Sequence, residues 1–342
     1  MPEATDLLIG TYQRLGGQGL LAGQLVDDQL VIDASGEPIT DTSFGVWSAS
    51  DRLYIVAEQQ DGRVRSVTRR KLGITIQSEA SSGGEAPCHL ALGSMASLLA
   101  VANYESGSVA LFLLNGDKLP PNPVTFHQLT GSGPNLERQA GSHAHWVGFA
   151  DAGQRLYCVD LGGDAIVMFD IDRVHPSLDR PTIAYRAAPG SGPRHLAFHP
   201  TLPLAFLVSE LASTLTLLAI LPDGSFQPQQ TLSTLPYGAS QSLGGTIVLN
   251  STSDRIYVTN RGHDSLATFA FDGTAMELLD HVPSGGASPR FLLPLEDRQR
   301  MLVANEESGT VAVFAIEADG RLRPRGTPAN IRGAVFLAVA PR

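Results

Sequence analysis

The sequence predicts an all-β chain, a seven-bladed β-propeller of four-stranded antiparallel blades, on three observations. A nine-residue motif recurs seven times, its copies are regularly spaced, and the two chain ends together supply one more interval. The copies are IGTYQRLGG (9–17), VAEQQDGRV (56–64), VANYESGSV (101–109), CVDLGGDAI (158–166), LVSELASTL (207–215), VTNRGHDSL (258–266) and VANEESGTV (303–311). Their fourth residues, Tyr12, Gln59, Tyr104, Leu161, Glu210, Arg261 and Glu306, stand 45 to 57 residues apart. The 36 residues after Glu306 and the 12 up to Tyr12 make 48 together, which a ring requires and a linear array does not. The segments 6–12 and 334–342 are therefore expected to share one blade and to leave no free edge. Two β-sandwich domains are the alternative, and they give no reason for regular spacing over the whole chain. Residues 1–342 are read as a single β-propeller domain.

Each interval reads as strands. In 192–221 an apolar run, HLAF, meets a turn at HPTLP, a second run, LAFLV, and a third, TLTLLAIL. Matching turns stand at 48–52, 150–154 and 250–254, each followed by an aromatic residue, Tyr54, Tyr157 or Tyr257, with Phe206 in the same place. A fourth, more variable strand fits most units, as at 125–131. The stretch 170–180 breaks the pattern and reads as a loop or short helical turn.

Composition narrows the function. A 43% apolar, 17% charged chain is globular, and 35 glycines and 22 prolines suit many turns. A net charge of −10 without a basic stripe argues against nucleic acid and acidic membranes as partners. No apolar run reaches membrane-spanning length, and the acidic start lacks a signal peptide's basic flank. Cys88 and Cys158 read as reduced core thiols, and the expected location is the cytoplasm. No nucleophile elbow, phosphate loop or dinucleotide fingerprint occurs.

Propeller geometry turns spacing into position. The start of each blade's first strand and the end of its second lie at one face, so two sets of residues should meet at one mouth of the channel. The first set precedes the inner strands: Cys88 beside His89, then His145, Arg194 and Arg290 at equivalent places. The second set is the fourth motif position. The third position, Thr11, Glu58, Asn103, Asp160, Ser209, Asn260 and Asn305, is always polar and reads as structural, closing the following turn. The fourth varies from Leu to Glu to Arg, as a ligand-facing site would. His145, Arg194, Glu210 and Arg261 are the catalytic candidates, with His143, Tyr104, Arg290 and Glu306 as substrate-binding candidates. Guanidinium forks suit an anionic substrate, and Glu and His suit proton transfer. Taken singly, Glu210 with Arg194 or Arg261 could equally be a structural ion pair. His143 and His145 stand two apart, so on a regular strand both would face one side. With Glu210 they suggest a metal as an alternative, although no third matching imidazole is evident.

The pieces SHAHWVGF, GPRHLAFHP, LVSELASTL and TNRGHDSLATF resemble the seven-bladed propeller lactonases, from LLIGTY to FLAVAP. That group includes bacterial 6-phosphogluconolactonases and fungal carboxy-muconate lactonising enzymes. The resemblance implies an enzyme with no cofactor and no metal, acting on a small anionic lactone. The lactonising branch uses a His, two Arg and a Glu, which carry over by motif to His145, Arg194, Arg261 and Glu210. The expected activity is hydrolysis of 6-phosphogluconolactone in sugar metabolism, by the pentose phosphate route. The alternatives are a muconate cycloisomerase and a non-enzymatic binding platform.

Overall fold

The computed structural model describes residues 4–33, 39–48, 51–70, 73–93, 97–172, 174–239 and 242–340. Residues 49–50 of the turn at 48–52, residue 173 of the irregular stretch and residues 341–342 of the last predicted strand lie outside the described residues. No helix among the described residues is long and apolar enough to cross a membrane.

The strands form seven four-stranded antiparallel sheets, as the repeat count requires. Blade 1 joins the chain ends, in the order Ala334–Val339, Thr5–Thr11, Leu20–Val26 and Gln29–Asp33. Blade 2 is Gly45–Trp47, Arg52–Ala57, Arg63–Arg70 and Gly73–Ser81, and blade 3 is Pro87–Leu92, Leu98–Asn103, Ser108–Leu113 and Thr125–Gln128. Blade 4 is Ala144–Ala150, Arg155–Asp160, Ala165–Asp170 and Thr182–Arg186, and blade 5 is Pro193–Phe198, Leu204–Ser209, Thr214–Ile220 and Phe226–Ser233. Blade 6 is Leu243–Leu249, Arg255–Arg261, Ser265–Phe271 and Met276–Pro283, and blade 7 is Pro289–Leu295, Arg300–Asn305, Thr310–Ile316 and Leu322–Asn330. Six of the seven motif copies run from the end of a second strand into the third, and the first, 9–17, ends in the turn before Leu20–Val26. In blade 1, Leu8 faces Ala338 and Ile9 faces Leu337, so the N-terminal strand closes on the C-terminal one. The stretch at 170–180 holds a loop in which Asp172 Oδ1 accepts the amides of Val174 and His175.

The chain divides into two compact units, residues 1–34 with 195–342, and residues 35–194. Within each, the core lies between successive sheets. In the strand Leu98–Asn103, Leu98, Ala100 and Ala102 pack with blade 4 residues such as Val147 and Cys158, while Leu99 and Val101 pack with Tyr54 and Val56 of blade 2. Blade 7 does the same: Leu302 and Ala304 join Leu7 and Ile9, and Met301 and Val303 join Tyr257 and Leu266. Both faces of such a strand are buried, which is why these strands read as unbroken apolar runs. The repeated aromatics serve the same seams. Tyr54 Oη donates to the Asp117 carbonyl at 3.0 Å and Tyr257 Oη to that of Gly320 at 2.9 Å.

The third motif position is structural, as its constant polarity implies. Asn103 Nδ2 donates to the Ser82 carbonyl and the Ser108 hydroxyl. Asn260 repeats this with Thr234 and Ser265, and Asn305 with Ser284 and Thr310. Each asparagine thus closes its own turn and also ties down the loop that precedes it. In five copies the turn takes a left-handed residue at the seventh motif position. Gly107, Asp164, Ser213, Asp264 and Gly309 have φ of 48° to 60° there. At Gly107 a Cβ would also stand 2.2 Å from the Ser142 carbonyl oxygen, so only glycine fits.

Candidate active site

In the unit formed by residues 1–34 and 195–342, the ends of the second strands of blades 5, 6 and 7 and the start of the blade 7 inner strand bring charged side chains together in pairs. Glu210 is 2% exposed, and its Oε2 lies 2.6 Å from Arg261 Nη2. Gly244 serves both partners with its backbone. Its amide donates to the Glu210 carbonyl at 2.8 Å, and its carbonyl accepts Arg261 Nη2 at 3.2 Å. Arg261 Nε is buried with no hydrogen-bond acceptor among the described residues. A buried guanidinium N–H without an acceptor is costly, so the site keeps a donor open. The second pair is Arg290 with Glu306, Nη1 to Oε2 at 3.1 Å, with the Ser288 hydroxyl 3.3 Å from the other carboxylate oxygen. Burial alone would raise the Glu306 pKa. Arg290, Arg261, Arg14 and the Ser288 hydrogen bond outweigh it and hold the pKa below the ordinary value.

In the unit formed by residues 35–194, the imidazoles are built around Tyr104. The Tyr104 ring stacks on His143 at 4.5 Å and meets His145 edge-on at 5.4 Å. His143 Nδ1 lies 3.0 Å from the Tyr104 carbonyl, and its amide donates to Asp160 Oδ1 at 2.8 Å. The Tyr104 hydroxyl accepts Arg138 Nη2 at 3.1 Å. His145 is buried, with its Nδ1 3.9 Å from Cys88 Sγ, and the Cys88 thiol donates weakly to the Ala144 and His145 carbonyls. Arg194 heads the largest fully buried side chains.

Regular alternation does not hold where the sequence reading applied it to the two histidines. His143 precedes the strand, and His145 is the extra residue of a bulge between Ala144 and Trp146. Cys88 stands in the same bulge between Pro87 and His89, and Arg290 in one between Pro289 and Phe291. A bulge re-aims one side chain without disturbing the strand beyond it. Cys88, His145 and Arg290 therefore share a backbone device as well as a sequence place.

A family model described as Lactonase, 7-bladed beta-propeller matches residues 6–339. The chain belongs to the propeller lactonases. A Bacillus subtilis 6-phosphogluconolactonase is 28% identical to it over 92% of each chain. The solved structure of a Pseudomonas aeruginosa periplasmic gluconolactonase superposes on it with a TM-score of 0.89, at 24% identity over 99% of each chain. A Lactobacillus plantarum protein gives the same TM-score, at 24% identity over 98% of this chain and 99% of its own. At that identity the structural likeness shows the fold alone.

In this propeller lactonase the paired residues were legible as motif positions, but two of their supports were not. Gly244 lies in an ordinary-looking strand, and only the doubled glycine in SLGGTIV marks a close backbone approach. Arg14 is the sixth residue of the first motif copy and lies in a 3₁₀ turn, Gln13–Leu15, with its guanidinium carbon 4.5 Å from the Tyr12 ring centre. The Arg290 guanidinium carbon lies 5.1 Å from the same centre. His199 is a turn residue, accepting the Thr201 and Leu202 amides at Nδ1. His281 is half-buried, with Nε2 2.8 Å from the Thr234 carbonyl. Both cysteines are free and buried, and burial raises the Cys158 pKa well above its ordinary value.

Proposed function

We propose that the chain is a lactone hydrolase that opens 6-phosphogluconolactone to 6-phosphogluconate. The observation that carries this reading is the buried Glu210–Arg261 pair with an open guanidinium N–H. Such a pair holds a carboxylate ready to accept a proton beside a fixed donor ready to meet an oxyanion. Membership of the lactonase family supports the reaction class, and the relative from Bacillus subtilis supports the phosphorylated sugar lactone.

In the proposed reaction the oxygen of a water molecule bonds to the lactone carbonyl carbon as Glu210 takes the proton. The carbonyl π pair moves onto its oxygen, and the Arg261 guanidinium stabilises that oxyanion. When the pair returns, the bond to the ring oxygen breaks, and that oxygen leaves as a hydroxyl with a proton. The proton taken by Glu210 serves that oxygen as it leaves.

The test is an initial-rate assay of purified protein on 6-phosphogluconolactone, gluconolactone and a carboxy-muconate, each against an enzyme-free control. The proposal expects catalysed opening of the phosphorylated lactone above the spontaneous rate. Lactone formation from the muconate, without lactone hydrolysis, would replace it with the cycloisomerase.

A further inference from the structure

The charged cluster of the unit formed by residues 1–34 and 195–342 is not balanced. Arg261 is paired with Glu210 and Arg290 with Glu306. Arg14 makes no hydrogen bond or ion pair with any described residue, and its contact is the Tyr12 ring. Three guanidinium groups thus stand with two carboxylates, on a chain whose net charge is −10. Tyr12 itself is fixed. It is 3% exposed, its amide donates to the Gly333 carbonyl, and its own carbonyl accepts the Leu15 and Gly17 amides. The ring therefore presents two cations from a rigid support, one on the exposed 3₁₀ turn and one on the bulge of blade 7. Cations are drawn to an aromatic face, but two on one ring repel each other unless an anion lies between them. Glu306 pairs with Arg290 through Nη1.

We propose that Arg14 and Arg290, set on the Tyr12 ring, hold a second anionic group of the substrate, the phosphoryl group of a phosphorylated sugar lactone. This rests on the lactone-hydrolase reading and goes beyond it by placing specificity in named residues. A sugar lactone without phosphate offers these arginines only hydroxyls. A phosphate monoester brings about −1.5 to −2 charges at pH 7 and three strong acceptor oxygens, which suit guanidinium forks. Arg14 is the discriminating residue because, although its charge reaches Glu306, it forms no direct ion pair with a carboxylate among the described residues. Arg290 contributes a second guanidinium charge over the same ring.

The experiment compares wild type, Arg14→Gln and Arg14→Lys on 6-phosphogluconolactone and gluconolactone, with binding of inorganic phosphate measured by calorimetry. Wild type is expected to prefer the phosphorylated lactone in kcat/KM. In Arg14→Gln that preference falls on the order of tenfold or more, mainly through KM, and Arg14→Lys recovers part of it. Phosphate binding weakens in parallel. An unchanged preference in Arg14→Gln, or no preference in wild type, overturns the proposal. If wild type opens neither lactone, the hydrolase reading fails, and phosphate binding still decides the anion position. Arg14-dependent binding then supports it, and no binding, or binding unchanged by the variant, ends it. Melting temperatures near wild type confirm that both variants fold, as expected for an exposed side chain.

Discussion

His89 packs between Phe44 and Trp146, with ring centres 4.0 and 5.5 Å away, and its Nδ1 accepts the Val147 amide. Burial, aided by the Arg194 charge, pushes its pKa down to about 3. The ordinary value is about 6.5, so between these two the unfolded chain binds more protons than the folded one. Stability from the neutral imidazole is therefore full above pH 6.5 and is lost as pH falls through that window. From pH 6.5 to 5 this amounts to about 2 kcal/mol. Glu306 is also depressed, and its contribution is lost only as pH falls below the ordinary carboxylate range. We expect His89→Gln to flatten the fall in melting temperature between pH 6.5 and 5 relative to wild type. Parallel pH profiles would show that His89 is not the cause.

Scaled up to the strand, the site depends on places where the repeat breaks its own rules. The inner strands of blades 3, 4 and 7 carry bulges at Cys88, His145 and Arg290. Strict alternation cannot say where such a residue points, which is why the pairing of side chains was not legible when their positions were. The blade 6 inner strand is irregular between Gly244 and Ile247. A Cβ on Gly244 would stand 2.7 Å from the Ser209 carbonyl oxygen and 2.9 Å from a Val208 methyl. Both neighbours are firmly placed in the strand Leu204–Ser209. Gly244→Ala must therefore displace the backbone that holds Glu210 and Arg261. We expect a loss of about 1–3 kcal/mol in stability together with a fall in kcat. A thermal melt and a rate assay on one preparation check this. Wild-type values for both would show that the strands yield without moving the pair.

At the scale of the whole chain, the repeat made the architecture legible. Seven motif copies gave seven sheets, and the leftover residues at the two ends gave the shared blade, with Leu8 facing Ala338. The buried asparagines were legible as structural because polarity at one motif position never varied, and their bonds to two segments supply the reason. Arg14 was missed because it lies in an irregular turn with no counterpart in the other copies. Glu210 and Arg261 were legible because the fourth motif position varies from Leu to Glu to Arg beside a third position that is always polar. Their buried pairing is where fold and chemistry meet. The most direct measurement is kcat for enzymatic opening of 6-phosphogluconolactone by wild type and by folded Glu210→Gln, corrected for spontaneous hydrolysis. Loss of the general base predicts a fall of at least about 100-fold. Near-normal turnover in Glu210→Gln would contradict the mechanism.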